Sequence, residues 1–519
     1  MALHMALQSV TMDSWVARHA QTRPRKVALV FQGRRITYGE LEEQVARTAS
    51  GLCASGVRKG DRVAALLPNG PEFLEILLAC TRIGAIFVPI NTRLAPAEVL
   101  FILQDSMPEM LVCHEQFMPQ VQAVQAKAPV RAMVQVGGTP ASGTIPYEEL
   151  GAGEIDAPVP LPSDPNDPAV MMYTSGTTGR PKGALLTHAN LLWNNIQVLA
   201  ELSVGEDDIN FNAAPLFHIG GLNVLTGPIL YCGATNVLED RFDPRRALEL
   251  MEAEHVTCSF AVPAMWNAIA QVPDFDRYDL SHVRFFLSGG APCPLPLIEF
   301  FRGRGLPFQE GFGLTETAPV VAVLKQDDVV RKAGSIGKPA LHVEVRIVDD
   351  YDREVRRGEI GELVVRGPNV MLGYWNQPEA TAEAVRGGWF HTGDLARQDD
   401  EGYLFIVDRK KDMIITGGEN VYPVEVEQVL VRHPRVQDVA VFGIPDAKWG
   451  ERVVAAVVTR DGQPLSTEEV QAFCSGKLAR FKVPSQVHVL PELPRNATGK
   501  VLKTELRRRF GGTDRAVTR

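Results

Sequence analysis

Residues 37–113 alternate between short apolar runs and longer segments whose apolar residues recur at helical spacing. Thr37 and Glu40 have the spacing of a capping box, which predicts a helix that starts there and ends before Gly56. The apolar positions of that helix are Leu41, Val45, Ala49 and Leu52. Apolar runs predict strands at 63–67, 86–88 and 110–113. Helical patterns at 71–80 and 96–105 lie between them. This alternation predicts a parallel sheet that is covered by helices on both faces.

The rest of the chain adds a link and two smaller β-containing regions. Residues 137–168 are rich in Gly, Pro, Ser and Asp, which predicts a link before a strand at 169–172. A capping box formed by Ser466 and Glu469 opens a further helix. Additional strands are predicted at 343–348, 361–366, 437–444, 452–459 and 487–490.

These patterns predict an α/β protein of two domains. We expect a large N-terminal domain at 1–408, made of layered α/β sheets with a smaller β-rich region, and a small α+β C-terminal domain at 409–519. A length of 519 residues is too great for one compact core and agrees with several structural units.

Composition narrows the classes of function. The net charge of −9 argues against a general nucleic-acid-binding role, which needs a basic surface. The seven cysteines contain no Cys-x-x-Cys pair, so the sequence predicts neither a disulfide framework nor a zinc site and fits a reducing cytoplasm. The start of the chain lacks a signal-peptide pattern, and no run of 18 apolar residues occurs, so we expect neither secretion nor a transmembrane segment. Peripheral membrane contact and a homodimer stay open.

The segment 173–183, Tyr-Thr-Ser-Gly-Thr-Thr-Gly-Arg-Pro-Lys-Gly, is the strongest candidate for chemistry. Its glycines let a backbone approach an anion, its hydroxyl groups donate hydrogen bonds, and Lys182 adds a positive charge, so the loop suits a polyphosphate. It is not a Walker A loop, because that motif needs Gly-Lys-Ser/Thr in direct succession, whereas Arg180 and Pro181 here separate Gly179 from Lys182. Ala184–Leu186 and a helix-like sequence follow.

This segment closely resembles the phosphate-binding signature of the adenylate-forming superfamily, which includes acyl-CoA synthetases, firefly-luciferase-type enzymes and nonribosomal adenylation domains. Further segments resemble motifs of that family in its order and spacing, and the resemblance covers the chain from about residue 30 to 505. They are 212–221, 284–292, 309–317, 389–394, 408–420 and 494–500.

The resemblance implies a role for individual residues. Phe312 would stack on adenine, Thr315 would meet the α-phosphate, Glu316 would help to hold Mg²⁺ and Asp394 would bind the ribose hydroxyls. Arg409 would contact ribose or phosphate, Lys411 would be the hinge of a mobile C-terminal domain, and Lys500 would reach into the active site. His218 would gate the route to the reacting carboxylate. The nucleotide- and CoA-binding residues implied in this way are Thr174, Ser175, Gly176, Thr177, Thr178, Gly179, Gly289, Gly290, Ala291, Pro292, Gly311, Phe312, Gly313, Asp394, Arg409, Lys411, Gly417 and Gly418, and the catalytic residues are Lys182, His218, Thr315 and Lys500.

Taken singly, several of these residues have an ordinary structural explanation. A histidine in apolar company such as His218 is more often a packed core residue, and Glu316 alone would be a surface or capping carboxylate. Lys500 alone would belong to a flexible basic loop. The resemblance reverses these preferences because the motifs occur together.

The function implied is that of an acyl-CoA synthetase, which uses ATP, CoA and Mg²⁺. A carboxylate would attack the α-phosphate of ATP to give an acyl-adenylate and pyrophosphate, and CoA would then displace AMP. The pocket segments 217–224, 264–267 and 317–321 carry no Arg or Lys, which favours a fatty or aromatic monocarboxylic acid over a dicarboxylate. Two alternatives stay open. The first is a related adenylate-forming enzyme that loads a carrier protein or oxidises the adenylate, and the second is a nucleotide-binding regulator without turnover.

Overall fold

The computed structural model describes residues 11–152, 164–174, 181–446, 448–495 and 501–511. The predicted site residues Ser175, Gly176, Thr177, Thr178, Gly179 and Lys500 therefore lie outside the described residues. The chain divides into two compact units, the first formed by Met1–Val345 with Val365–His391 and the second by Arg346–Val364 with Thr392–Arg519. The domain boundary expected between residues 408 and 409 stays a prediction.

The first unit contains a nine-stranded sheet whose central strands are parallel. Three pairings at its margins are antiparallel: Lys338–Pro339 with Val320–Leu324 and Val320–Leu324 with Phe308–Gly313 at one side, and Val27–Phe31 with Arg34–Thr37 at the other. In spatial order its strands are Lys338–Pro339, Val320–Leu324, Phe308–Gly313, Phe285–Gly289, Cys258–Ala261, Ile209–Asn212, Thr235–Leu238, Val27–Phe31 and Arg34–Thr37.

An eight-stranded sheet in the same unit confirms the predicted parallel alternation. Arg62–Leu66 lies between Ile86–Pro89 and Met110–His114 and is parallel to both. The sheet ends, however, in two antiparallel pairs, because Lys182–Thr187 folds back on Pro168–Thr174. In spatial order its strands are Gly373–Tyr374, Lys182–Thr187, Pro168–Thr174, Ile86–Pro89, Arg62–Leu66, Met110–His114, Ala132–Val136 and Ile145–Pro146.

Helices cover these sheets, and the first predicted one shows why they form. The Thr37 hydroxyl accepts the Glu40 N–H and the Glu40 carboxylate accepts the Thr37 N–H, so the capping box is present and starts Tyr38–Ala54. Its apolar positions are fully buried, and burial of each large one contributes about 1.5–3 kcal/mol. The α-helices of this unit are Asp13–Thr22, Tyr38–Ala54, Pro71–Ile83, Pro96–Ser106, Met118–Gln122, Tyr147–Leu150, His188–Leu202, Ile219–Gly221, Gly227–Cys232, Pro244–Ala253, Pro263–Ala270, Leu295–Arg302 and Pro378–Ala384.

Shorter turns complete the helical inventory of the first unit. A π-helical turn, Leu222–Thr226, connects two of the α-helices in the segment that the sequence assigned to acyl binding. The 3-10 turns are Glu115–Phe117, Gln125–Lys127, Phe275–Arg277 and Thr315–Thr317. Within the described parts of the chain, every helix is too short or too polar to cross a lipid bilayer.

The C-terminal third of the chain is rich in β-structure. One five-stranded sheet consists of Glu344–Val348, Gly361–Arg366, Trp389–Gln398, Val385–Arg386 and Leu404–Arg409. A second consists of Glu419–Val421, Ile414–Thr416, Gly450–Thr459, Val436–Asp446 and Gln486–Val489. Around the second sheet lie the helices Pro423–Leu430, Thr467–Cys474 and Lys503–Phe510 and the 3-10 turn Arg480–Lys482. The predicted Ser466–Glu469 capping box is present at the start of Thr467–Cys474.

Candidate active site

The two strands that flank the glycine-rich loop bring its ends together. Thr174 and Lys182 are register partners at the end of the antiparallel pair Pro168–Thr174 and Lys182–Thr187. Gly183 follows directly and packs closely on the Met171 side chain, since a Cβ there would come within 3.0 Å of the Met171 sulfur. The hairpin therefore places a hydroxyl and an ammonium group at the same edge of the sheet, on either side of the loop.

Glu316 lies next to this edge and is bound by two hydroxyl groups. The Tyr374 hydroxyl donates to Glu316 Oε1 at 3.0 Å, and Thr174 Oγ1 lies 3.4 Å from the same oxygen. Lys182 Nζ lies 5.0 Å from the centre of the Tyr374 ring, within cation–π range. Burial, followed by the negative charge of Glu316, raises the pKa of Tyr374, so its hydroxyl stays protonated and is the donor. The structure thus brings together three of the predicted site residues, Thr174, Lys182 and Glu316, and places beside them Tyr374, which was not predicted from the sequence.

The turn that carries Thr315 and Glu316 is held from several sides. Thr317 Oγ1 donates to the Pro319 carbonyl at 2.6 Å, and the Leu314 N–H donates to Thr317 Oγ1 at 3.0 Å. The buried Asn369 side chain donates to the Thr317 carbonyl at 2.7 Å, and the Met371 N–H donates to the Glu316 carbonyl at 2.8 Å. A short rigid turn of this kind fixes the direction in which Thr315 and Glu316 point.

The carboxylate of Glu316 is chemically suited to Mg²⁺. Both hydroxyl contacts described above fall on Oε1, so neither of these two hydroxyl groups binds Oε2. Among the described residues, no three His, Cys, Asp or Glu side chains cluster in a way that could hold a metal ion. Mg²⁺ is often held by one or two carboxylates together with water and substrate phosphates, and a single glutamate beside a phosphate-binding loop fits that pattern.

The segments assigned to adenine lie side by side in the nine-stranded sheet. Gly289 and Gly311 are register partners at the ends of parallel strands. A Cβ on Gly289 would come within 2.9 Å of the Gly311 carbonyl oxygen, so only glycine fits there. Gly290 has φ +81°, which also favours glycine. Ala291 and Pro292 are exposed beyond the strand, while Phe312 and Gly313 are half-buried.

His218 lies in the acyl-binding segment beside Phe217. Its ring centre is 4.8 Å from that of Phe217. Burial, with a smaller effect of the positive charge of Arg93, lowers the pKa of His218 to about 4, so the imidazole is neutral at pH 7. Its buried Nε2 has no hydrogen-bond partner within the described residues. A neutral ring with one unused nitrogen can face a ligand without introducing a charge.

Phe260 connects the acyl-binding and adenine-binding segments, and the sequence analysis did not single it out. A Cβ on Gly220 would come within 3.2 Å of the Phe260 ring, and one on Gly289 within 3.1 Å. Both glycines therefore face the same aromatic ring. By contrast, Trp266 in the expected pocket segment 264–267 is fully buried and packs on Phe286 in the core, at 4.5 Å between ring centres.

In the second unit, Asp394 and Arg409 form a close ion pair. They are register partners in the antiparallel strands Trp389–Gln398 and Leu404–Arg409, with Arg409 Nε 2.6 Å from Asp394 Oδ1. Asp394 is buried, and its N–H donates to Thr392 Oγ1 at 3.0 Å. The structure therefore brings the two residues assigned to ribose into direct contact with each other.

The remaining predicted residues of this unit lie in exposed turns. Lys411 is exposed. Gly417 and Gly418 have φ values of +60° and +85°, and the Gly417 N–H donates to the Trp449 carbonyl at 2.7 Å. Arg495 and Val501, on either side of the segment that contains Lys500, form an antiparallel bridge.

Comparison with known proteins identifies the class. The model of the AMP-binding enzyme family matches residues 16–375, and that of the AMP-binding enzyme C-terminal domain matches residues 425–500. The chain therefore belongs to the AMP-binding enzyme family, within the adenylate-forming superfamily.

The relatives identify the reaction type. The chain is similar to a feruloyl-CoA synthase of Amycolatopsis sp, with 46% identity over 96% of this chain and 99% of the relative. It is 42% identical to an indoleacetate–CoA ligase of Aromatoleum aromaticum, over 96% of this chain and 97% of the relative. It also resembles the solved structure of a Mycobacterium tuberculosis fatty acyl CoA synthetase, with 36% identity, a TM-score of 0.80 and coverage of 97% of this chain and 99% of that chain. The protein is an ATP-dependent, AMP-forming acid–CoA ligase that uses ATP, CoA and Mg²⁺ and acts through an acyl-adenylate.

Proposed function

We propose that the acid activated by this ligase is an aromatic monocarboxylic acid. The observation that carries the proposal is the position of Phe260, which faces Gly220 of the acyl-binding segment and Gly289 of the adenine segment. Together with Phe217 and neutral His218 it provides aromatic, uncharged surface where the acyl group would meet the nucleotide. The names of the feruloyl and indoleacetate relatives support an aromatic substrate. A fatty acid is the second candidate, supported by the fatty acyl CoA synthetase.

A screen of acids for CoA-dependent AMP release tests this proposal. We expect hydroxycinnamates and arylacetates to give a higher kcat/KM than medium- or long-chain fatty acids. Malonate and succinate should be at least about 100-fold poorer than the best aromatic acid, because burial of an unpaired carboxylate costs several kcal/mol. If a fatty acid gave a higher kcat/KM than every aromatic acid, the fatty acid would replace the aromatic acid as the proposed substrate. A dicarboxylate as the best substrate would refute both, and Arg93, whose charge acts on His218, would then be the cation to investigate.

For the first half-reaction, we assign the residues as follows. The substrate carboxylate attacks the α-phosphorus of ATP, and the bond to pyrophosphate breaks. Lys182, Thr315 and Lys500 stabilise the negative charge of the transition state, which is the main requirement in this type of transfer. Glu316 would hold Mg²⁺, which supplies further charge neutralisation when it is bound. The phosphate loop, including Thr174, Ser175, Gly176, Thr177, Thr178 and Gly179, would bind the phosphates.

We assign the other predicted residues to the binding of the nucleoside and of the CoA thiol. Gly289–Pro292 and Gly311–Gly313 bind adenine, with Phe312 stacked on it, and Asp394 and Arg409 bind the ribose. In the second half-reaction the CoA sulfur attacks the acyl carbonyl carbon, and the bond to AMP breaks. Gly417 and Gly418 lie along the path of the thiol in this assignment.

A hinge at Lys411 is the proposed link between the two half-reactions. Lys410 Nζ lies 3.3 Å from Glu362 and 2.8 Å from Asp350, which precede it in the chain. Asp412 instead pairs at 2.9 Å with Arg507 of the C-terminal helix. Exposed Lys411 lies between one residue that pairs with preceding segments and one that pairs with the C-terminal helix, all within the second unit, and this change of partners supports a hinge at Lys411.

The cellular setting is also proposed. We place the enzyme in the cytoplasm, where ATP and CoA are available and where its seven free cysteines would stay reduced. The homodimer stays a prediction, which sedimentation equilibrium would test.

A further inference from the structure

Tyr374 occupies a position between two groups of the proposed adenylation site. Its hydroxyl donates to Glu316 Oε1 at 3.0 Å, and its ring lies 5.0 Å from Lys182 Nζ. Glu316 and Lys182 come from different parts of the chain, and Tyr374 contacts both of them. One side chain therefore links the proposed metal ligand with the lysine of the phosphate loop.

The backbone around Tyr374 is built to hold this position. Tyr374 is the register partner of Ala184, two residues from Lys182, in the strand Lys182–Thr187. The neighbouring N–H groups of Leu372 and Trp375 donate to the carbonyls of Leu185 and Gly183, at 2.9 and 2.8 Å. The strand that carries Tyr374 is thus bonded along its length to the strand that carries Lys182.

A threonine of the following helix fixes the Gly373–Tyr374 pair further. The Tyr374 N–H donates to Thr381 Oγ1 at 2.9 Å. Gly373 has φ +151°, and a Cβ there would come within 2.7 Å of the Thr381 side chain. Thr381 Oγ1 in turn donates to the Gln377 carbonyl at 2.8 Å. This packing leaves Tyr374 little freedom to move.

We infer that Tyr374 is a positioning residue for adenylation, whose hydroxyl orients the Glu316 carboxylate toward Mg²⁺ and whose ring orients the Lys182 ammonium. The inference rests on the proposed role of Glu316 as the metal ligand. The Tyr374 and Thr174 contacts occupy Oε1, so the carboxylate presents Oε2 in a fixed direction. Loss of the hydroxyl would leave the carboxylate side chain with only the longer 3.4 Å contact to Thr174, while a ring without hydroxyl would still face Lys182.

Two substitutions separate these effects. Tyr374→Phe removes only the hydroxyl, and we expect the half-saturating Mg²⁺ concentration for adenylation to rise about tenfold. This is the lower end of the effect of a hydrogen bond to a charged group, chosen because the Tyr374 and Glu316 side chains are both half-buried. Tyr374→Leu also removes the ring, and adenylation at saturating Mg²⁺ should fall by a further two- to fivefold, roughly the value of an exposed cation–π contact. Conversion of supplied acyl-adenylate and CoA to thioester should be unchanged in both.

Calorimetric binding provides a readout that does not depend on turnover. Tyr374→Phe should weaken the binding of MgATP about tenfold and leave the binding of ATP in the presence of EDTA unchanged. Tyr147→Phe is the matched control, because it removes a tyrosine hydroxyl that also donates to a carboxylate, Glu75 Oε2 at 2.7 Å, outside this site. The control should behave as the unmutated enzyme in both titrations.

A double-mutant cycle with Glu316→Gln distinguishes the inference from the proposed function. Tyr374→Phe should have an effect of less than about twofold when Glu316→Gln is already present, because the two residues then no longer act together. If Glu316→Gln left the Mg²⁺ dependence unchanged, Glu316 would not be the metal ligand, and the inference about Tyr374 would fail with that proposal. A strong Glu316→Gln effect with normal MgATP binding by Tyr374→Phe would overturn the inference alone. Equal losses in both half-reactions would make Tyr374 merely structural and would also overturn it.

Discussion

Glu310 provides a test of the electrostatics beside the adenine segment. It lies on the strand Phe308–Gly313 and is buried, with Oε2 accepting the Cys293 N–H at 3.2 Å. Oε1 is buried without a hydrogen-bond partner within the described residues. Burial raises the pKa of Glu310 from 4.5 to about 7, and the Cys293 hydrogen bond opposes this only in part. The folded protein therefore holds a proton on Glu310 at pH values where the unfolded chain has lost it.

The sign and size of the effect on stability follow from proton linkage. Between pH 4.5 and 7 the folded state binds more protons at Glu310 than the unfolded state, so stability falls as the pH rises through this window. The shift from 4.5 to about 7, at about 1.36 kcal/mol per pKa unit, amounts to a loss of about 3 kcal/mol that is complete above pH 7. Since glutamine cannot ionise, Glu310→Gln should escape this loss.

We expect Glu310→Gln to be more stable than the unmutated protein by up to about 3 kcal/mol at pH 8, and by less than about 1 kcal/mol at pH 5. The measurement is urea unfolding, followed by tryptophan fluorescence at both pH values. Glu75 is a second buried carboxyl with a pKa of about 7, but it is present in both proteins and cancels in the comparison. Glu148→Gln, at an exposed position, should show no such pH-dependent difference. If the difference between Glu310→Gln and the unmutated protein were the same at pH 5 and pH 8, the linkage argument would be refuted.

Two further predictions separate the half-reactions by single-turnover kinetics. Lys411→Pro, which fixes φ near −65° at the proposed hinge, should retain acyl-adenylate formation and be impaired in transfer to CoA, and equal loss of both steps would contradict a hinge there. Lys500→Ala should lose adenylation by roughly 10²–10³-fold, the usual effect of removing one charge-stabilising donor, and should still convert supplied acyl-adenylate to thioester. The opposite pattern in Lys500→Ala would contradict both its role and the two-arrangement mechanism.

The elements that the sequence predicted best are those defined by contacts between near neighbours in the chain. Both capping boxes, at Thr37 and at Ser466, are present because their hydrogen bonds join residues only three positions apart. The parallel strands between 62 and 114 were also predicted, since helices alternate with buried apolar runs there. In these cases the local pattern and the tertiary structure agree.

The elements that the sequence did not predict depend on distant partners. Lys182–Thr187 was not anticipated as a strand, because a short apolar run before a helix has no period that distinguishes the two structures. The expected link 137–168 contains the strand Ile145–Pro146, which pairs with the sheet, and the helix Tyr147–Leu150, which packs on the distant helix Tyr38–Ala54. Turn-forming composition alone does not exclude such short elements.

Within the candidate site, the residues predicted from the sequence belong to motifs, whereas the residues that were not predicted are identified only by their contacts in the structure. Thr174, Lys182 and Glu316 belong to recognisable segments, and the structure brings them together. Tyr374 is 58 residues away from Glu316 in the chain and has no motif of polar residues around it. The only local signal was the Gly373-Tyr-Trp375 triplet, in which glycine next to an aromatic residue indicates a close backbone approach.

The arrangement around Glu316 also explains why one carboxylate can be enough. Mg²⁺ is often held by one or two carboxylates, with phosphate oxygens and water as its other ligands. A site completed by the substrate depends more on the orientation of its single protein ligand than a site with several ligands does. Two hydrogen bonds orient Glu316: its carbonyl accepts the Met371 N–H, and its carboxylate accepts the Tyr374 hydroxyl. Residues 371–374 therefore serve as the support for the proposed metal ligand, although none of them would touch the metal.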